Sequence, residues 1–355
     1  MAPADVVALR PYLRLARVPT AGFTASIVLW GYFAARHDAG LPLSGVLLTP
    51  QVLGLLCIGV LAHVFGSVHN EICDRQIDAR ATYVSAKPLV SGQVSVASAR
   101  RLAGAAIFGA LALAAAVAST TDPSVFALMG LAALCAAAYN RYGKRFLGGE
   151  LLFSGSLTIF FFTGASAVAG SESVVAGGVL AFAVLAFLAL SFQVIFVGGV
   201  KDIRSDEASG LRTVAVRLVR REESGDGDQS DEVELRFVVS AGTALLSVFL
   251  LAAIYLLRWV TPPGGSNELV LLQLGALFAT SVARILVFLL AMAAQERRRR
   301  LALLAINEAL QLPLFVALLL PSITAEALLL LVFIPVAVAL ALNRAVFGMI
   351  AAPDV

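Results

Sequence analysis

The chain has 355 residues, of which 59% are hydrophobic and 14% charged, with a formal net charge of +3. An ordinary globular domain is about 25% charged, so this composition, with a mean hydropathy of +0.90, excludes a soluble domain and implies a polytopic membrane protein. The small net charge gives no support to a nucleic-acid partner. Cys57, Cys73 and Cys135 have neither metal-ligand spacing nor a disulfide framework.

A membrane span needs roughly 20 apolar residues to cross about 30 Å of hydrocarbon. The basic start MAPADVVALRPYLRLARVPT leads into the first apolar run, and no cleavage site follows it, so that run reads as a retained helix. The predicted helices are 18–36, 51–69, 102–119, 124–140, 150–169, 174–199, 235–257, 268–293, 301–320 and 323–347, ten in all. Turn chemistry in TTDPS, GSES, TPPGGSNE and LPSIT separates them, with Pro321 at the last boundary. No soluble domain fits between them, so residues 1–355 read as one transmembrane domain. The only long polar insert, 220–234, is an acidic Gly/Ser-rich loop.

The 26 Lys and Arg residues are unevenly spread. Arg10, Arg14 and Arg17 precede helix one. Arg75, Arg80, Lys87, Arg100 and Arg101 follow helix two, and Arg141, Lys144 and Arg145 follow helix four. Seven more lie between 201 and 236, and four occupy 297–300. Alternating helices put all of these on one side, opposite Arg36 and Arg258. The positive-inside rule then makes the N-terminus and the even-to-odd loops cytoplasmic.

The polar stretch after helix two carries Asn70, Asp74 and Asp78 at i, i+4 and i+8. At 3.6 residues per turn these share one helix face. Oxygen ligands in that arrangement suit magnesium, which keeps some waters and shares substrate phosphates; a solvated helix end is the plain alternative. Helix six runs into GGVKDIRSDEASGLRTVAV, where Asp202 and Asp206 repeat the acid pair on the same predicted side. Like charges one turn apart weaken a helix, and acids at a C-terminus oppose its dipole. A bound cation offsets both costs. Lys87, Lys144, Lys201 and Arg212 belong to the same loops and supply what a diphosphate needs; each one singly also serves as a topology determinant.

These residues resemble the UbiA-type membrane prenyltransferases. NEICDRQIDARATYVSAKPLVSG resembles the family's first aspartate-rich motif, and KDIRSDEASGLRTVAVRL the second with its downstream Gly-x-Lys/Arg-Thr. YNRYGKR resembles the turn between helices four and five, and RLARVPT the start before helix one. The similarity covers roughly residues 12–320. It implies an all-α polytopic bundle, usually nine helices around a central cavity, here with a tenth C-terminal helix over 321–355. It also implies transfer of an isoprenyl chain from its diphosphate to a lipophilic aromatic acceptor, as in lipoquinone biosynthesis, with Mg²⁺. Asn70, Asp74 and Asp78 would hold one ion, and Asp202 and Asp206 the other. Lys87, Lys144, Lys201 and Arg212 would meet the diphosphate, with Tyr139 in the pocket. Glu71 stands where the family often has Asp, and Lys87 where Arg is frequent, which loses the bidentate fork.

Three other functions use the same features differently. A UbiA-type terpene cyclase would ionise the diphosphate without an acceptor, and archaeal-type ether-lipid prenyl transfer would use a different acceptor. A transporter would place its charges at the midplane, whereas these acids sit at helix ends. His63 and His69, six residues apart, do not face one another. Phe160, Phe161, Phe162, Phe192 and Phe196 read as bundle packing or as tunnel lining. Arg284 and Glu308 lie inside predicted spans, where a charge needs a partner, and each is the candidate partner of the other.

Overall fold

A computed structural model describes residues 4–46, 49–79, 87–168, 177–199, 203, 206–207, 209–219, 230–255, 257, 267–294, 296–319 and 325–347. All regular structure among them is helical. Helix α1 (Ala4–Leu15) leads through a 3₁₀ turn, Val18–Thr20, into α2 (Ala21–Asp38). Then come α3 (Pro50–Asp78), α4 (Val96–Ala118), α5 (Ser124–Tyr142) and α6 (Glu150–Ser166). Helix α7 (Gly177–Phe192) passes into a π-helix over Gln193–Gly198. The short α8 (Val214–Val219) precedes α9 (Ser230–Tyr255), α10 (Asn267–Ala293), α11 (Arg297–Ala309) and α12 (Gln311–Leu319). The chain closes with α13 (Ala325–Leu328), a π-turn Leu329–Phe333 and α14 (Ile334–Phe347).

Eight helical spans among the described residues are long and apolar enough to cross a membrane, and Glu150–Ser166 and Leu329–Ala345 are shorter apolar helices. They coincide with the ten predicted segments, the tenth included; the boundary at Pro321 lies outside the described residues. Prolines account for two irregularities. Pro313 has no N–H for the carbonyl of Ala309 and would clash with it, and α11 ends at Ala309. Pro335 stands in the same relation to Leu331, which lies within the π-turn. Helix α3 runs nine residues beyond the predicted end at 69, to Asp78, so the first acidic motif is itself helical. Its start is fixed by Thr49, whose hydroxyl accepts from Val52 N at 3.4 Å, with Pro50 in the first turn. Ser95 caps α4 in the same way, accepting from Ser98 N at 3.1 Å.

The contacts divide into two compact units. One comprises 1–141, 156–180 and 322–355, and the other 142–155 and 181–321. In the first, α2 is buried all round: Ala25, Val28, Leu29, Trp30, Tyr32, Phe33, Ala34 and Ala35 are at most 1% exposed. Helices α3, α6 and α14 approach its backbone where side chains are smallest. A Cβ on Gly31 would strike the Phe161 carbonyl of α6, and one on Gly164 the Val28 carbonyl of α2. A Cβ on Gly59 would meet Ala25, and one on Gly22 would lie 3.1 Å from Pro335. Lipid is as apolar as the helices, so such close contact, more than hydrophobic burial, drives association. In α4, Ala99, Ala103, Ala106, Ala110 and Ala114 are buried while Phe108 is 76% exposed.

In the second unit, α7 and its π-helix share an aromatic core with α8, α9, α10 and α11, built on Phe192, Phe196, Phe237, Phe288 and Leu304. The five phenylalanines proposed for a tunnel thus divide: Phe160 and Phe161 are buried and Phe162 half-buried in the first unit, and Phe192 and Phe196 are buried in this core.

Gly31→Ala and Gly164→Ala are each expected to lower the thermal midpoint of the purified protein, through over-packing worth ~1–3 kcal/mol. Gly104→Ala, in mid-α4 with nothing within 4 Å of its added Cβ, should leave the midpoint unchanged or raise it. Unchanged midpoints for both tight glycines would refute the close crossing of α2 and α6.

Candidate active site

The first cluster begins where α1 turns into α2. Arg17 has φ 46° and ψ 40°, the left-handed region, which costs a non-glycine residue roughly 1–2 kcal/mol. Its carbonyl accepts from His63 Nε2 at 3.0 Å and from Thr20 Oγ1 at 3.0 Å. A carbonyl only accepts, so Nε2 carries the His63 proton and Nδ1 accepts from Thr24 Oγ1 at 2.8 Å. Held this way, Arg17 directs Nη2 to Glu71 Oε1 at 2.6 Å. His63 is therefore a structural residue of this turn.

Glu71 is 3% exposed. The same Oε1 meets Lys87 Nζ at 3.3 Å, and Lys87 also pairs with Asp78 Oδ2 at 2.8 Å. Asn70 Nδ2 donates to Asp74 Oδ2 at 3.3 Å, as neighbours one turn apart should. Lys87 reaches this face because the chain after it folds tightly. Ser91 N and Oγ both donate to the Lys87 carbonyl at 2.9 Å, and Val94 N to the Pro88 carbonyl at 3.0 Å. Gly92 has φ 75°, which any side chain would strain. This is the physical content of the Lys-Pro…Ser-Gly sequence. Burial alone would lower the Lys87 pKa, but the carboxylates of Glu71 and Asp78 outweigh it and hold the ammonium above its usual range.

Beside the cluster, Asn140 of α5 donates Nδ2 to the Gly66 carbonyl at 3.0 Å and to His69 Nδ1 at 3.2 Å, and Phe65 stacks on the His69 ring. Tyr139 is the preceding residue and is half-buried.

The second unit gathers the other candidates. Asp206, 3% exposed, pairs through Oδ1 with Lys144 Nζ at 3.5 Å. Arg212 N donates to the Lys144 carbonyl at 3.0 Å, and Leu211 N to the Asp206 carbonyl at 2.9 Å, around Gly210 with φ 69°. Glu150 Oε1 accepts from Val214 N at 2.6 Å, and Thr213 Oγ1 from Val216 N at 3.3 Å, so α8 starts capped. The Arg212 side chain is exposed. Lys201 and Asp202 lie outside the described residues.

Sequence reasoning did not assign Arg17, Glu71 or Glu150 to the site. Glu71 was read only as a departure from a pattern. It sits 100° round the helix from Asn70, and only the fold shows that it joins two cations. Among the described residues no three His, Cys, Asp or Glu side chains form a cage that holds a metal alone. Asn70, Asp74 and Asp78 do fit a hard cation that completes its shell with water and substrate oxygens. Asp78, now against Lys87, would then exchange an ammonium for that cation.

The profile of the UbiA prenyltransferase family matches residues 24–307, well over half of the chain. No curated protein sequence matches it significantly. A UbiA homolog from Aeropyrum pernix K1, in its apo structure, superposes with a TM-score of 0.63 at 17% identity, over 86% of this chain and 99% of that one. A UbiA homolog from Archaeoglobus fulgidus bound to GPP and Mg²⁺ gives 0.57 at 19% identity, over 87% and 99%. A structure concerning digeranylgeranylglyceryl phosphate synthase in membranes gives 0.57 at 14%, over 89% and 99%. With the helical spans and the acidic helix face above, the profile match establishes that this chain is an integral, multi-pass membrane protein of the UbiA prenyltransferase family.

Proposed function

We propose that the protein transfers an isoprenyl chain from a prenyl diphosphate to a lipophilic aromatic acceptor of the lipoquinone type, releasing diphosphate. The observation that carries this reading is the α3 face of Asn70, Asp74 and Asp78, beside two cations gathered on the buried Glu71 carboxylate. The Archaeoglobus fulgidus homolog bound to GPP and Mg²⁺ supports the same substrate class here.

In the proposed reaction the allylic C–O bond breaks, its electron pair leaving with the diphosphate oxygen. The acceptor attacks the carbocation and releases a proton. Asn70, Asp74 and Asp78 would hold one Mg²⁺ ion and Asp202 and Asp206 a second, and the metal would supply neutralisation of the departing charge. Lys87, Lys144, Lys201 and Arg212 bind the phosphate oxygens, and Tyr139 contributes to the pocket. Glu71 keeps Lys87 charged and anchors Arg17. The apolar helices exclude water that would quench the carbocation. The distribution of Lys and Arg supports a cytoplasmic side for the N-terminus and both motifs.

Asp74→Ala and Asp206→Ala are expected to lower kcat/KM by about 10²-fold or more, and chelation should abolish turnover with Mg²⁺ restoring it. The assay incubates purified protein with labelled prenyl diphosphates and candidate acceptors and identifies products by mass spectrometry. Full activity in both variants would remove the metal assignment, and a cyclised hydrocarbon without acceptor would mark a cyclase instead.

Lys87 has a raised pKa. Its ion pairs are therefore complete below the unfolded value of about 10.4 and are lost only as pH rises through the still higher folded value. Between about pH 6 and 9, Lys87→Met should reduce activity by a pH-independent factor. Glu71→Gln removes the larger of the two carboxylate charges that raise the pKa and leaves Asp78 alone against burial, so the alkaline fall in activity should move to lower pH. An unmoved alkaline limb would separate Glu71 from Lys87.

A cysteine in place of Ser224, in an otherwise cysteine-free protein, should react with a membrane-impermeant thiol reagent only from the cytoplasmic side. Labelling from the opposite side would invert the topology.

A further inference from the structure

Glu150 opens α6 and is 4% exposed, yet the proposed reaction gives it no part. One of its oxygens, Oε1, accepts from Val214 N and so caps α8. The other, Oε2, is buried and has no hydrogen-bond partner among the described residues. A cap needs only one neutral oxygen, and Ser, Thr or Asn supplies it without burying a charge. An ionised carboxylate in that position is costly unless a cation answers it. That cation is Lys144, whose charge acts on the Glu150 carboxylate.

The turn between α5 and α6 brings the two together. Gly148 has φ 80°, and Gly149 N donates to the Phe146 carbonyl at 3.2 Å. Gly149 packs so closely on Gly143 that an added Cβ would strike the Gly143 carbonyl. The same turn receives the segment that follows the second acidic motif. Arg212 N donates to the Lys144 carbonyl at 3.0 Å and Val214 N to Glu150 Oε1 at 2.6 Å, so both ends of 212–214 rest on the turn. Lys144 Nζ lies 3.5 Å from Asp206 Oδ1, within ion-pair range but long for a hydrogen bond. A metal ion on Asp206 would compete with the ammonium for that carboxylate. Glu150 belongs to neither acidic motif, so its charge would still act on Lys144 once Asp206 turned to the metal.

We infer that Glu150 is a positioning residue for the diphosphate site: its Oε1 fixes the Arg212–Val214 segment on the α5–α6 turn, and its charge holds the Lys144 ammonium where the phosphate oxygens bind. This role rests on the prenyl-diphosphate reading given above. The sign of the charge gives it a distinctive consequence. A carboxylate near an anionic substrate repels it, so its removal by electrostatics alone would tighten binding. A carboxylate that holds a cation in place has the opposite effect. Its removal weakens binding, because a small misplacement of a positioning group is costly.

The test measures Mg²⁺-dependent binding of geranyl S-thiolodiphosphate, a slowly ionising donor analogue, to the purified full chain in detergent by calorimetry, beside thermal unfolding. Glu150→Gln keeps an oxygen for Val214 N and should leave the thermal midpoint unchanged, but it should weaken binding about tenfold. In a Lys144→Met background the same substitution should change Kd by less than about twofold, the non-additivity of residues that act as a unit. Glu150→Asp draws the carboxylate back by one methylene and should weaken binding to a lesser degree, again only where Lys144 is present. That variant decides alone if the glutamine variant does not fold. Unchanged or tighter binding in Glu150→Gln, or an equal loss with and without Lys144, overturns the positioning role. Absence of Mg²⁺-dependent binding in the unmodified protein overturns the diphosphate reading itself, and this inference with it.

Discussion

A buried carboxylate at the end of a membrane helix must be neutralised, and Glu71 shows what that requirement organises. One oxygen, Oε1, receives Arg17 from the turn before α2 and Lys87 from the loop after α3. Both cations are brought there by backbone devices that cost conformational freedom. Arg17 occupies the left-handed region, and Lys87 is held by a turn whose glycine has φ 75°. Strain of this kind persists only where surrounding contacts over-determine it. Here they do: Thr24, His63 and the Arg17 carbonyl form a chain of hydrogen bonds. The first motif is thus an assembly of opposite charges from three parts of the chain.

The packing beneath the cluster obeys a different constraint. In lipid, helices gain little from hiding apolar surface, so contact distance decides which pairs associate. The first unit meets this with glycines that let the α2 backbone touch α6, α3 and α14. The C-terminal helix belongs to this arrangement, since Pro335 lies against Gly22. The second unit uses interlocked aromatic rings instead, with Phe192, Phe196, Phe237 and Phe288 in mutual contact. That core surrounds the buried Arg284, which lies over the Phe192 ring and has the Glu308 charge acting on it.

Most of the architecture was legible from hydropathy because the bilayer imposes length on every apolar run. The predicted segments and observed helices agree best where the sequence is apolar, and they part where polar residues remain helical, as in Asn70 to Asp78 of α3. The prolines at 313 and 335 explain local breaks that hydropathy, averaged over a window, does not register. The i, i+4 spacing of Asn70 and Asp74 was likewise readable, since a helix makes it a contact by geometry.

The sequence by itself determined a polytopic all-helical membrane protein, its ten segments and the acidic faces that carry the family's motifs, because spacing along one helix is a local property. The tertiary structure alone decided that Glu71 joins Arg17 to Lys87, 54 residues apart in the first pairing, that Glu150 caps α8, and that Arg284 lies over the Phe192 ring with the Glu308 charge acting on it. Those are contacts between distant segments. Their partners are chosen by how backbones approach and which carboxylate is left buried, and no periodicity in the chain encodes that choice.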